Sequence, residues 1–250
     1  MTPAAHPLAG QRALVTGSSQ GIGLGLARAL AAAGAQVTLN GRDPAKLAAA
    51  AAALRAEGHA GVTTAAFDVT DEASILAANP GPVDILVNNT GIHRRGPLES
   101  MPLADWNAVI QANLTSAFLV TRAVVPGMIE RRSGKIINVC SLMSDLARPT
   151  TGNYAAAKGG LKMLTRAMCA EWARHNVQVN GLAPGYILTP LTAPLAADPK
   201  FDAWIKGRTP AGRWGEVADL TGACVFLASP AANFINGQIL TVDGGLSAVI

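Results

Sequence analysis

Arg12-Ala13-Leu14-Val15-Thr16-Gly17-Ser18-Ser19-Gln20-Gly21-Ile22-Gly23 is the stretch on which the fold turns. The apolar run up to Thr16 predicts a short strand. A glycine-rich turn follows, then an apolar-periodic segment that predicts a helix to about Ala33, stopped by Gly34. Strand, glycine turn and helix in that order are the context a phosphate-binding turn requires. Glycines permit the tight turn and let the backbone approach a pyrophosphate. The helix N-terminus adds unpaired N–H groups and a partial positive charge. Gly17, Ser18, Ser19, Gly21, Ile22 and Gly23 are therefore candidate contacts of a dinucleotide.

The pattern repeats outward from there. Strands are expected at 36–40, 62–67, 83–88, 135–141, 177–182 and 238–242. Asp43 as N-cap and Pro44 at the first helical position open the second helix. A short helix at 71–78 ends on Asn79-Pro80-Gly81-Pro82, and further helices are expected at 103–113, 117–131, 153–175 and 216–228. The stretch 184–213 is Pro-rich and reads as irregular. The 83–88 strand is almost wholly apolar, as strands covered on both faces are. Strand–helix alternation without linker or internal repeat predicts one α/β domain over 1–250. Its expected core is a Rossmann-type, doubly wound parallel sheet of seven strands flanked by helices.

Composition narrows the partners. The chain has 250 residues, half of them apolar, and a net charge of only +4. Basic residues are scattered apart from the pairs Arg94-Arg95 and Arg131-Arg132, so nucleic acid is not an expected partner. Three cysteines without a CxxC spacing argue against a disulfide framework and fit a cytoplasmic location. The four histidines lie far apart, and no metal site is expected. The N-terminus lacks the features of a signal peptide, and no uninterrupted apolar run suggests a membrane span.

The chemistry is carried by Tyr154-Ala155-Ala156-Ala157-Lys158, with Ser141 upstream. On a helix, positions i and i+4 share a face, so the phenol and the ammonium are neighbours. A nearby cation favours the phenolate and is expected to draw the tyrosine down from its ordinary pKa of about 10. A serine hydroxyl beside it would hold a carbonyl or alcohol oxygen. Such a set moves a proton on and off that oxygen while a cofactor moves a hydride. The end of the second strand selects the cofactor. Asn40-Gly41-Arg42 stands where an acidic residue would bind the ribose of NAD. Arg42 can pair with a 2′-phosphate, and the Ser18 hydroxyl can donate to it. NADP(H) is the expected cofactor. NAD(H) is the alternative, if Arg42 is merely solvated and Asp43 selects.

Thr16-Gly17-Ser18-Ser19-Gln20-Gly21-Ile22-Gly23 resembles the TGxxxGIG signature of the short-chain dehydrogenase/reductase family. The resemblance extends through Asn88-Asn89-Thr90-Gly91, Asn113, Ser141, Tyr154/Lys158 and Pro184-Gly185, in the family's order and spacing. It implies that Tyr154 is the general acid/base and that Ser141 polarises the carbonyl. It also implies that Lys158 binds the nicotinamide ribose and that Asn113 holds a water leading from Lys158 to solvent. Asp68 and Val69 would hold the adenine, and Asn88 and Gly91 the inner cofactor path. Pro184, Gly185 and Ile187 are further cofactor contacts, with Thr189 placed to bond the carboxamide. The segment 184–213 would be a mobile substrate lid. A homotetramer would form through 117–131, 153–175 and the apolar end 246–250. Thr90, where the family usually has Ala, and the shortened segment 71–83 depart from the pattern.

Several local stretches, among them Leu39-Asn40-Gly41-Arg42-Asp43 and Arg208-Thr209-Pro210-Ala211-Gly212-Arg213-Trp214, resemble the gluconate 5-dehydrogenase branch of that family. A sugar acid needs cations for its carboxylate. His93, Arg94 and Arg95 follow the fourth strand at the end where such sheets bind ligands, and Arg148 lies between Ser141 and Tyr154. Arg94, Arg95 and Arg148 are the candidate carboxylate contacts. Met143 and Tyr186 are candidates for the wall of a substrate pocket around Ser141 and Tyr154. Two alternatives are weighed against this assignment. One is a 3-oxoacyl carrier-protein reductase that meets its acidic partner at Arg131 and Arg132. The other is a non-catalytic dinucleotide-binding protein, whose expected mark would be a lost Ser, Tyr or Lys.

Overall fold

A computed structural model describes residues 6–249; Met1–Ala5 and Ile250, the last residue of the apolar end, lie outside the described residues. The strands are β1 (Arg12–Val15), β2 (Gln36–Gly41), β3 (Thr63–Ala66), β4 (Ile85–Asn88), β5 (Gly134–Val139), β6 (Val177–Pro184) and β7 (Ile239–Val242). The helices are α1 (Gly21–Ala32), α2 (Pro44–Ala56), α3 (Glu72–Ala78), α4 (Leu103–Ile110), α5 (Ser116–Arg131), α6 (Gly152–Trp172), α7 (Ala193–Ala196), α8 (Pro199–Arg208) and α9 (Val217–Ala228). All strand pairs are parallel, in the order β3-β2-β1-β4-β5-β6-β7. The order reverses between β1 and β4. Above that point, at the carboxyl ends of the strands, a doubly wound sheet opens its crevice.

The two-residue period of a strand sorts the core into two layers. Ala13, Val15, Ile85 and Val87 turn to one face, where Leu26 and Leu30 of α1, Leu47 and Leu54 of α2, and Leu220 and Leu227 of α9 cover them. Leu14 and Leu86 turn to the other face, under Ile75 of α3, Val120, Val124 and Met128 of α5, and Met168 of α6. Each Val, Leu, Ile or Met among them, fully buried, contributes roughly 1.5–3 kcal/mol. Gly25 lets α1 and α9 close on each other: a Cβ there would sit 2.1 Å from a methyl of Val217.

Two expectations are corrected. The helices expected at 103–113 and 117–131 are one continuous run, joined by a π-helical turn at Gln111–Thr115. The Asn113 side chain donates to the Val109 carbonyl, 2.9 Å away, inside that run, so the segment does not break. The run Leu103–Arg131 is long and apolar enough, by length and composition, to cross a membrane. Half of its apolar window is nevertheless buried within the fold, as in a core helix. The stretch 184–213, expected to be irregular, contains α7 and α8. Asp198 caps α8 by accepting from the amides of Lys200 and Phe201, and Pro199 occupies its first turn. The shortened segment behaves as expected. α3 has only 7 residues and ends on Asn79, which adopts the left-handed conformation at φ 39°.

Candidate active site

The glycine turn shows why its residues must be small. Gly17 and Gly21 both sit at φ +60°, a left-handed geometry open to glycine. A Cβ on Gly23 would meet the Gly17 carbonyl oxygen at 2.4 Å and the Asn89 amide at 2.5 Å. Gln20, at the N-cap of α1, makes no side-chain hydrogen bond, so no cap satisfies the first N–H groups of the helix. This is a cradle for a pyrophosphate, built from backbone. Asn89 locks it from β4, donating to the carbonyls of Thr16 and Gly17 at 2.9 and 3.0 Å.

Two expected contacts are corrected here. The Ser18 side chain is fully buried and donates to the Val15 carbonyl at 2.7 Å, while accepting from the Asn40 amide at 3.0 Å. It tethers β1 to β2 and is not free for a phosphate. The neighbouring Ser19 faces Gly41 at the end of β2 instead. Asn88, expected on the inner cofactor path, turns into the core and donates to Thr121 and to Asn138 at 2.9 Å each. Asn89, Thr90 and Gly91 line the cavity in its place. The sequence offered no signal to choose between adjacent serines or adjacent asparagines.

Arg42 extends into solvent from the end of β2, its guanidinium 3.9 Å from the Asp68 carboxylate. Burial pushes the Asp68 carboxyl up. Hydrogen bonds from Thr70 and the charge of Arg42 outweigh that, and its pKa lies below the ordinary value. Val69, beside it, is buried. Asn40 is no ribose contact: its amide donates to the carbonyls of Ala65 and Phe67 inside the sheet.

A cavity of about 330 Å³ runs from the glycine turn to the N-terminus of α6. It is lined by Gly17, Gly21, Ile22 and Gly23 on one side and by Ser141, Tyr154 and Lys158 on the other. Met143, Arg95, Arg148 and Tyr186 also line it, as do Pro184, Gly185, Ile187 and Thr189. The Thr189 hydroxyl lies 3.1 Å from that of Thr192, which ties the start of the 184–213 segment to itself. Tyr186 packs edge-on against Phe201, Trp204 and Trp214, and the Arg148 guanidinium lies 4.8 Å over the Phe201 ring.

Tyr154 and Lys158 share a face of α6, and the ammonium lies 5.7 Å from the centre of the phenol ring. The Ser141 hydroxyl, which favours the phenolate of Tyr154, lines the same cavity and accepts from the Met143 amide at 3.1 Å. The expected downward pull of Lys158 on Tyr154 is corrected. Burial pushes the phenol up to about 12, with only the nearby Ser141 hydroxyl working against it. Lys158 is itself buried, pushed down to about 8, and donates to the Val139 carbonyl at 2.6 Å. Desolvation dominates both groups. Asn113 spends its amide N–H groups on the carbonyls of Ile92 and Val109. Its Oδ1 is buried without a partner, and both that atom and the Lys158 ammonium crowd the position a Gly91 Cβ would take. The π-turn thus aims one acceptor at the lysine end of the site.

The three candidate carboxylate contacts separate. Arg94 points away, 4.0 Å from Asp105, and does not line the cavity. Arg95 and Arg148 do line it, and neither makes an ion pair among the described residues. Burial and then the Arg148 charge lower the Arg95 pKa. His93, placed beside Arg94 and Arg95 at the ligand end of the sheet but not counted among the candidate contacts, stacks on Tyr154 with ring centres 3.7 Å apart. Burial, reinforced by Arg95, Lys158 and Arg148, pushes its imidazole down to about 4. Arg131 and Arg132, the proposed carrier-protein contacts, lie at the opposite end of the sheet. Arg131 donates to the carbonyl of Val83, just before β4, and Arg132 to that of Arg174. No cluster of three or more His, Cys, Asp or Glu side chains is placed to hold a metal among the described residues.

Residues 17–247 match a family model described as Enoyl-(Acyl carrier protein) reductase. The chain is 50% identical to the gluconate 5-dehydrogenase of Gluconobacter oxydans (strain 621H), covering 97% of this chain and 98% of that one. It is 49% identical to the 5-keto-D-gluconate 5-reductase of Escherichia coli (strain K12), with the same coverage of 97% and 98%. Among solved structures it resembles a gluconate 5-dehydrogenase from Burkholderia cenocepacia J2315 in complex with NADP and tartrate. That match has a TM-score of 0.95 and 50% identity, and covers 98% of this chain and 99% of that one.

Proposed function

The chain belongs to the short-chain dehydrogenase/reductase family, and from that premise we propose that it interconverts D-gluconate and 5-dehydro-D-gluconate with NADP(H), NAD(H) being the alternative cofactor. One observation carries the choice of substrate. Arg95 and Arg148 stand without acidic partners in the cavity that holds Ser141 and Tyr154, so a ketone oxygen at the tyrosine leaves the far carboxylate of a sugar acid at the guanidiniums. Relatives at 50% and 49% identity act on gluconate and on 5-keto-D-gluconate, as their names state.

The chain's residues divide the work. The glycine turn and the start of α1 hold the pyrophosphate, while Arg42 and Ser19 face the 2′-phosphate. Asp68 and Val69 take the adenine, and Thr189 takes the carboxamide. The bound nicotinamide supplies or accepts the hydride. Ser141 and Tyr154 hold the substrate oxygen. In reduction Tyr154 gives that oxygen its proton, and an alkoxide is basic enough to take one even from a phenol near pKa 12. Lys158, with the free Oδ1 of Asn113 behind it, returns the proton from solvent. The segment 184–213 acts as a lid, and its aromatic packing around Tyr186 supports a unit that moves as one piece. A homotetramer fits Phe118 on α5 and Met163 on α6, 42% and 57% exposed, and a cytoplasmic location fits the three free cysteines. Leu246 is already buried within its own chain and adds nothing to such an interface, whereas Val249 is exposed.

The test follows nicotinamide absorbance with NADPH and NADH against 5-ketogluconate, 2-ketogluconate and an acetoacetyl thioester. Oxidation of NADPH by 5-ketogluconate, with D-gluconate as product, is expected. Turnover of the thioester alone would overturn the assignment.

A further inference from the structure

We propose that His93 is a specificity-determining residue, whose imidazole hydrogen-bonds a hydroxyl on a carbon next to the one Tyr154 and Ser141 address, so that the site selects α-hydroxy ketones. The inference rests on the ketone-reductase function above and adds which neighbour of the ketone is read.

Three observations carry it. The His93 ring lies flat on Tyr154, 3.7 Å between centres and 27° between planes, so the imidazole is held against the phenol ring. Nδ1 is buried and has no partner, which leaves Nε2 as the nitrogen this half-buried, cavity-lining ring offers to a ligand. The ring is also fixed in place. Asn153, at the start of α6, donates to the Arg94 carbonyl at 2.8 Å, and the Gly96 amide donates to the Thr150 carbonyl at 3.1 Å. The loop that carries His93 is thereby clipped to the helix that carries Tyr154.

The chemistry of the lining selects the ligand. Among the lining residues no Asp or Glu is present, and Arg95, Arg148 and Lys158 offer only donors. Those three cations surround His93 and oppose its protonation. A neutral imidazole has one donor and one acceptor nitrogen. A hydroxyl both donates and accepts, so it satisfies either tautomer. A methylene satisfies neither and leaves the nitrogen desolvated and unpaired, which is how polar sites reject deoxy analogues.

The test is a substrate-by-variant cycle. The ratio of kcat/KM for 5-ketogluconate to that for its 4-deoxy and 6-deoxy analogues is measured in wild type, His93→Leu and His93→Gln. The wild-type ratio should be at least about tenfold for one of the two analogues. His93→Leu should reduce that ratio at least about tenfold, and His93→Gln, which keeps donor and acceptor groups, should restore most of it. Equal losses on all substrates in His93→Leu would make His93 only a wall for Tyr154 and overturn the proposal. A wild-type ratio under about threefold would overturn it whatever the variants do. Should wild type not turn over 5-ketogluconate, the gluconate assignment fails by itself. The same ratio is then taken with 3-hydroxybutan-2-one against butan-2-one, and turnover of neither, or no preference for the hydroxy ketone, overturns the His93 proposal as well.

Discussion

Gly91→Ala should damage the site through a single methyl group. Built on the observed backbone, the new Cβ lies 2.5 Å from Asn113 Oδ1, 3.5 Å from its Cγ and 3.8 Å from the Lys158 ammonium. A contact of 2.5 Å cannot stand. The amide it strikes is not a loose chain end, since Asn113 is 1% exposed and both its N–H groups are bonded at 2.9 Å, to Ile92 and to Val109. Rotating it away gives up two buried hydrogen bonds, about 1 kcal/mol each, and strands two carbonyls. The gain from burying one methyl is at most about 0.8 kcal/mol. The net cost is roughly 2–4 kcal/mol, or about 5–10 °C in Tm for a chain of this size. Thermal unfolding followed by circular dichroism reads the shift, and kcat should fall with it because the acceptor behind Lys158 is displaced. A variant within about 2 °C of wild type and fully active would refute the reasoning, because Asn113 would then have room that the packing denies it.

Four further outcomes follow from the same geometry. Tyr154→Phe should lower kcat by about 10²–10⁴ while NADPH binding, followed by fluorescence titration, stays intact; an active variant would remove Tyr154 from proton transfer. Arg42→Ala should weaken NADPH by about tenfold or more, through loss of a charge-assisted contact, and NADH by much less; equal loss for both would place the 2′-phosphate elsewhere. Reduction should stay level through neutral pH and decline as Lys158 loses its proton near pH 8, whereas alcohol oxidation, which needs Tyr154 as a base, should keep rising toward the tyrosine pKa of about 12. Opposite slopes in the two directions are the observable, and parallel profiles would contradict it. Thr90 Oγ1 is buried without a partner against Gly17, so Thr90→Val should stabilise by about 1 kcal/mol in chemical denaturation, and a loss of stability would mean that the hydroxyl is bonded.

The sheet was legible because its strands are short apolar runs and its helices carry their own stops. Asp43 before Pro44 and Gly34 after α1 mark element ends by local chemistry alone. Of the proposed catalytic residues, Tyr154 and Lys158 were paired by their i to i+4 spacing with Ser141 read beside them, and Asn113 was reached through the family resemblance. What escaped depends on direction or on distant packing. Ser18 and Ser19 are alike in sequence, and only the bonds of Ser18 to Val15 and Asn40 in the folded sheet show which one turns inward. The π-turn around Asn113 carries no glycine or proline to announce it. The height of the Tyr154 pKa follows from burial, which no i to i+4 spacing reveals. His93 becomes a site residue only because Asn153 and Thr150 pin its loop to α6, a contact between distant parts of the chain. Arg94 and Arg95, adjacent in sequence, divide between Asp105 and the cavity for the same reason.

In the proposed reaction a reduced dinucleotide in the glycine cradle passes its hydride to C5 of a keto acid whose oxygen Tyr154 protonates. The direct measurement uses NADPH deuterated at C4 on the transferring face with 5-ketogluconate, followed by mass spectrometry and NMR of the product. The account predicts D-gluconate with one deuterium, on C5. Deuterium at another carbon, or its absence from a product formed in ordinary water, would contradict it.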